Sequence, residues 1–167
     1  MEKDTVVPAT IIVLAEEGTS LHAFGDTVQV KICGEQTQGS LAVVLDTTPP
    51  GSGPPPHIHH HEDELFLVVE GRYRFLANGK WSEVVGANTV IYTPRGGLHT
   101  FQNVGDTPSR HWVITTPSGF EQFFARCADV FAQSGPPDMA RILAISTEHG
   151  LEFVPPLPGA SDEGDKE

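Results

Sequence analysis

Along the first 116 residues, apolar and polar positions change places every one or two residues, and turn-forming residues punctuate them at short intervals. Residues 27–33 (TVQVKIC) alternate with period two, the pattern of a strand buried on one face. Residues 40–46 (SLAVVLD) are almost continuously apolar and predict a central strand. Residues 64–70 (ELFLVVE) predict a strand closed by Gly71, with the next over 72–76. Asn78-Gly79 predicts a tight hairpin turn leading to Trp81. Further strands are expected over 89–93, ended by Pro94, over 99–104 and over 111–116. Upstream, the β-branched run 9–14 reads as a first strand and 20–24 as a short second one. Strands this short, separated by turns this regular, predict an all-β sandwich or barrel.

Beyond residue 117 the period becomes helical. Ser118 and Glu121 have the spacing of a capping box. Phe120, Phe123, Phe124, Cys127, Val130 and Phe131 then fall on one stripe of a helix, expected to pack on the barrel or to border a ligand mouth. A second helix is expected over 137–149, with Met139, Ile142 and Leu143 on one face and Gly150 as its stop. Residues 159–167 are acidic and polar and read as a disordered tail. With no boundary in between, residues 1–158 are expected to form a single domain, its barrel core over about 27–116 and its helices over about 118–149.

Composition agrees: 17 glycines and 14 prolines suit a turn-rich β body better than a helical bundle. The net charge of −12 repels phosphate backbones and anionic lipid, so neither nucleic acid nor a membrane is an expected partner. The apolar run near the start is too short to span a bilayer and has acidic flanks, unlike a signal peptide. Cys33 and Cys127 lack CxxC spacing and are expected as free thiols in a reducing cytoplasm.

The densest chemistry lies in residues 53–71, GPPPHIHHHEDELFLVVEG. Prolines and glycines at 49–56 exclude regular structure and deliver the chain, extended, to His57. In a strand His57 and His59 share a face, while Ile58 points away. Glu64 at the start of the next strand and His99 from a later one can reach the same volume. Three neutral imidazoles and one carboxylate suit a divalent transition metal: iron, manganese, nickel, copper or zinc. Glu62, Asp63 and Glu70 are expected at the surface or behind the ligands, and Asn103 in a supporting turn.

The spacing H-x-H-x4-E-x6-G of His57, His59, Glu64 and Gly71, followed by Pro94, Gly96, His99 and Asn103, resembles the two signature motifs of the cupin superfamily. Gly51 or Gly53 supplies the glycine expected before the histidine pair. His59 and His61 also form H-x-H, but the family spacing to Glu64 selects His57 and His59. One departure is Asn88 where the second motif usually has glycine; asparagine tolerates positive φ better than other side chains. The resemblance implies a double-stranded β-helix, or jelly-roll barrel, with two C-terminal helices, and a homodimer. The helical extension ending in HGLEFVPP is similar to small quercetin 2,3-dioxygenase-like cupins.

For such a dioxygenase the resemblance implies a flavonol-like substrate and O2, with Glu64 accepting the substrate's hydroxyl proton as catalytic base. Strand parity turns Phe66 and Phe101 inward as substrate-binding walls, and Tyr73, Phe75 and Tyr92 are further lining candidates whose facing the sequence leaves open. Ordinary barrel-core packing is an equal reading of these aromatics. Two other functions stay open: another metal-dependent cupin enzyme, such as an isomerase, lyase or decarboxylase, and a non-catalytic binder of small molecules.

Overall fold

A computed structural model describes residues 9–155. The strands are β1 (Thr19–Ala23), β2 (Asp26–Ile32), β3 (Ala42–Thr48), β4 (His57–His59), β5 (Asp63–Glu70), β6 (Tyr73–Ala77), β7 (Lys80–Trp81), β8 (Val90–Thr93), β9 (Leu98–Asn103) and β10 (Ser109–Thr116). Helices α1 (Phe120–Phe131) and α2 (Met139–Glu148) follow, and then a last strand, β11 (Leu151–Phe153). Two sheets face each other. One has the order β1-β2-β3-β10-β5-β8 and the other β11-β4-β9-β6-β7.

The alternation seen in the sequence decides which side chains enter the space between the sheets. On β3, Ala42, Val44, Asp46 and Thr48 are buried, while the residues between them face outward. Phe66 and Val68 of β5, Tyr73 and Phe75 of β6, Phe101 of β9 and Val113 of β10 complete the inner layer with Val28 of β2. Each such side chain, fully buried, contributes about 1.5–3 kcal/mol. A second apolar cluster joins Phe123, Cys127 and Val130 of α1 to Ile142 and Ile145 of α2, Ala23 and Leu151. It closes the open side of the sandwich.

Two glycines set the geometry near the histidines. Gly71 has φ +91°, and Ser109 occupies the place where its Cβ would stand. Gly53 lies so close to the Phe101 carbonyl that no side chain fits, which lets the proline loop press against β9. Asn88 takes φ +70°, so the turn survives the exchange from glycine. Asn103 is fully buried and ties three segments: its amide donates to the Thr48 and Thr107 carbonyls, and its Oδ1 accepts from the Gly105 N–H.

Several expectations need correction. Residues 9–14 form no strand; Ile12 is 78% exposed, and the segment is instead held at its end by Lys31, whose ammonium donates to the carbonyls of Leu14, Ala15 and Glu17. Ser118 does not cap α1. The cap position belongs to Gly119, and the Glu121 carboxylate accepts from the N–H groups of Gly119 and of Gly34 in the β2–β3 turn. Helix α2 is capped by Asp138, which accepts from Arg141 N–H. Its inward face is Ile142, Ile145 and Ser146; Met139 and Leu143 are turned out, more than half exposed at 54% and 52%. The acidic stretch 159–167 lies outside the described residues. Cys33 and Cys127 are free thiols.

Candidate metal centre

The proline loop feeds β4, a three-residue strand held on both sides. His57 faces His99 of β9 across one antiparallel ladder and Phe153 of β11 across the other. Alternation along β4 buries His57 and His59 and turns Ile58 away. Glu64 enters from the neighbouring sheet, where β5 pairs with β10 and β8. The four side chains are buried, and each offers a ligand atom within 4.8 Å of the others. His57, His59, Glu64 and His99 therefore meet in space as the motif spacing requires.

The outer ring nitrogens are already engaged. His57 Nδ1 lies 2.8 Å from the Pro55 carbonyl and His99 Nδ1 3.0 Å from the Gly97 carbonyl. Carbonyls only accept, so both Nδ1 atoms carry the proton, and in the neutral rings Nε2 is left with a free lone pair. His59 Nδ1 faces the buried Glu62 carboxylate at 3.4 Å, which favours the same tautomer. On the inner side, His99 Nε2 and His59 Nε2 lie 2.6 and 3.4 Å from Glu64 Oε2. None of these three buried atoms makes a well-directed hydrogen bond. Buried polar atoms aimed at one point without partners are costly unless a cation satisfies them. The donor set and its orientation thus fit a divalent transition metal.

Electrostatics agree. Burial pushes the His57 ring down to about 3, and the neighbouring imidazoles His99 and His59 add to the effect, so it is a neutral donor at any working pH. Burial alone would lift Glu64, but the imidazoles of His59, His99 and His57 outweigh it and hold the carboxyl at about 2. Burial also opposes charge on His99, yet the adjoining Glu64 outweighs it and keeps that ring above its ordinary value.

A cavity adjoins these ligands. His57, Glu64, Phe66, Phe101, Val44 and Val113 form its inner wall, and Phe24, Phe120, Phe124 and Phe153 form a half-buried rim. The Phe120 ring packs edge-on against His59 at 4.5 Å. Phe66 and Phe101 thus line the cavity as parity predicts. Tyr73 and Phe75 are buried in the inter-sheet core, away from it; Tyr73 donates its hydroxyl to Thr48 Oγ1. Tyr92 lies on the outer face of β8, 61% exposed, and cannot line the cavity: inward parity on that strand belongs to Thr93.

Sequence reasoning allowed the α1 phenylalanines a place at a ligand mouth, but missed Phe24, Phe153 and the far wall. Phe153 sits on β11, too short for any periodic signal, and Asp26 and Asp46 also line the cavity. Asp46 was legible: it shares parity with Ala42 and Val44 in an apolar run, which points a carboxylate inward. Of the remaining polar residues, His60 is exposed and pairs with Glu152, Asp63 pairs with Arg95, and Glu70 with Arg110.

Two facing sheets with a buried three-histidine, one-glutamate cluster and two C-terminal helices make this a mostly β cupin sandwich. Residues 44–115 match the family model of the Cupin domain, Cupin_2, a stretch that includes all four candidate ligands. A predicted oxalate decarboxylase from Thermotoga maritima has the same fold: 22% identity, TM-score 0.60, covering 64% of this chain and 99% of that one. The polyketide cyclase RemF from Streptomyces resistomycificus shares 22% identity at TM-score 0.56, covering 66% and 81%. An RmlC-like cupin from Shewanella frigidimarina shares 16% at TM-score 0.57, covering 68% and 96%. At these identities the likeness is one of fold. No curated protein matches the sequence. Among the described residues no helix is long and apolar enough to cross a membrane.

Proposed function

We propose that this protein is a metal-dependent cupin enzyme acting on a small organic substrate that presents an oxygen donor, with dioxygenase chemistry as its finer form. The observation that carries this reading is the convergence of unpartnered Nε2 and Oε2 atoms at the end of an aromatic-walled cavity. A divalent metal bound by His57, His59, Glu64 and His99 supplies Lewis-acid polarisation of a substrate oxygen and, for a redox-active ion, access to dioxygen chemistry. The chain supplies the rest. Glu64, held ionised, accepts the proton of a substrate hydroxyl. Phe66 and Phe101 fix the plane of a flat ligand, and the rim phenylalanines keep water out.

Size constrains the substrate. The cavity holds about 40 Å³, room for about three waters. A single ring enters only as the rim side chains swing outward, and a three-ring flavonol demands more. Oxygen consumption by the iron-, manganese- or nickel-loaded protein is expected with at least one member of a panel of catechols and flavonols; no uptake with any metal overturns the dioxygenase form.

A non-oxidative reading, as decarboxylase, lyase or isomerase, has one specific support: Asp26 and Asp46 place a second acid–base group in the cavity. Substrate turnover under strict exclusion of oxygen distinguishes the two.

A further inference from the structure

The dioxygenase form of the proposed reaction leaves one polar pair of the cavity unused. Asp26 on β2 and Asp46 on β3 both point inward and line the same space as His57 and Glu64. Val28 pairs with Asp46 and Thr27 with Thr47, so the two carboxylates are diagonal neighbours on one sheet face. They are 5% and 4% exposed.

Their partners are few. Asp26 Oδ1 accepts from Ser52 Oγ at 3.3 Å, while Asp46 Oδ1 has no partner. His111 of β10 is fully buried, with Nε2 3.5 Å from Asp46 Oδ2, and neither of its ring nitrogens is hydrogen-bonded. Burial pushes His111 down to about 3, so it is neutral and gives the carboxylates no counter-charge. The Tyr73 hydroxyl is spent on Thr48. Burial lifts Asp26 to about 7, and burial together with the charge of Asp26 lifts Asp46 well above the carboxylate range. Near neutrality the pair therefore keeps a proton and offers a donor and an acceptor side by side.

We propose that Asp26 and Asp46 form a specificity subsite that takes the uncharged, hydroxyl-bearing end of a substrate whose other end lies at His57 and Glu64. A hydroxyl at this position finds both an acceptor, Asp46 Oδ1, and a donor. A carboxylate there would be desolvated beside two acids with no cation to offset it. The subsite rests on the metal-centre reading, and it separates this chain from enzymes that take dicarboxylates.

The test is calorimetric titration of the zinc-loaded protein with three 5-hydroxy-4-pyrones that share one chelating head and differ only at carbon 2. That carbon bears a methyl group in allomaltol, a hydroxymethyl group in kojic acid and a carboxylate in comenic acid. The hydroxymethyl compound is expected to bind about tenfold more tightly than the carboxylate, the value of one good hydrogen bond. Asp46→Asn and Asp26→Asn, matched in shape, are each expected to keep full zinc content and to close most of that gap. Equal binding of the two compounds by the unaltered chain, or an unchanged ratio in both variants, overturns the subsite and leaves the metal centre standing. A chain that takes up no zinc overturns the metal-centre reading and the subsite with it.

Discussion

Two polar clusters are buried in this sandwich, and their hydrogen bonds set them apart. Around His57, His59, Glu64 and His99, an acceptor faces the outer nitrogen of each ring and the inner atoms are left free and convergent. Around Asp26, Asp46 and His111, the carboxylates lie beside each other with one weak hydroxyl contact and a neutral ring. Burial is equally deep in both. The first arrangement suits a dication, because three imidazole nitrogens and one carboxylate already point at a common centre. The second is completed by a proton, because two acids without a counter-charge cannot both ionise. The accounting of partners, and not burial or residue type, separates a metal centre from an acid pair.

The largest effect should come from removing one convergent donor. His99→Ala deletes a ligand and leaves Glu64 short of a partner. Metal affinity is expected to fall by more than the roughly 100-fold that loss of a supporting group can cost, while far-ultraviolet circular dichroism stays unchanged. A variant that retains full metal content breaks the contrast between the clusters.

A smaller loss tests the outer shell. Glu62→Gln keeps an acceptor near His59 Nδ1 but removes its charge, and a loss of roughly 10-fold in metal affinity is expected. The same competition assay that ranks His99→Ala measures it.

The acid pair should respond to pH in the opposite sense from an ordinary carboxylate. Asp26 holds its proton more tightly folded, at about 7, than at its ordinary value of 3.8. Its contribution is therefore fully present below about pH 4 and is lost as pH rises through about 7. Asp26→Asn has no such loss. Relative to the unaltered chain, it should gain about 4 kcal/mol in unfolding free energy between pH 4 and pH 8. Denaturant unfolding at the two pH values reads the difference, and a gain in the other direction would show the carboxylate to be stabilised as an anion.

The sequence made the ligands legible because they sit on strands, where a two-residue period fixes which side chains share a face. His57 and His59 needed only that rule, and the spacing to Glu64 and Gly71 set the register. The hairpin at Asn78-Gly79 and the positive φ at Asn88 were legible for the same local reason. What escaped was set by contacts distant in sequence. Residues 9–14 have the composition of a strand but pair with no strand among the described residues. Phe153 reaches the cavity because β11 adds to the edge of β4, where it pairs with His57, 96 residues away in the sequence. Aromatics such as Tyr92 and Phe75 look alike in the sequence, yet the register of β8 and β6 sends one to solvent and the other into the core.

The most direct test of the metal centre is elemental analysis of the full chain, produced without chelators or nickel resin and then offered iron, manganese, nickel, copper and zinc in turn. The arrangement of His57, His59, Glu64 and His99 predicts one tightly held divalent ion per chain, released on acidification as the imidazoles take up protons. A chain that retains none of these ions at neutral pH, while remaining folded, would contradict it.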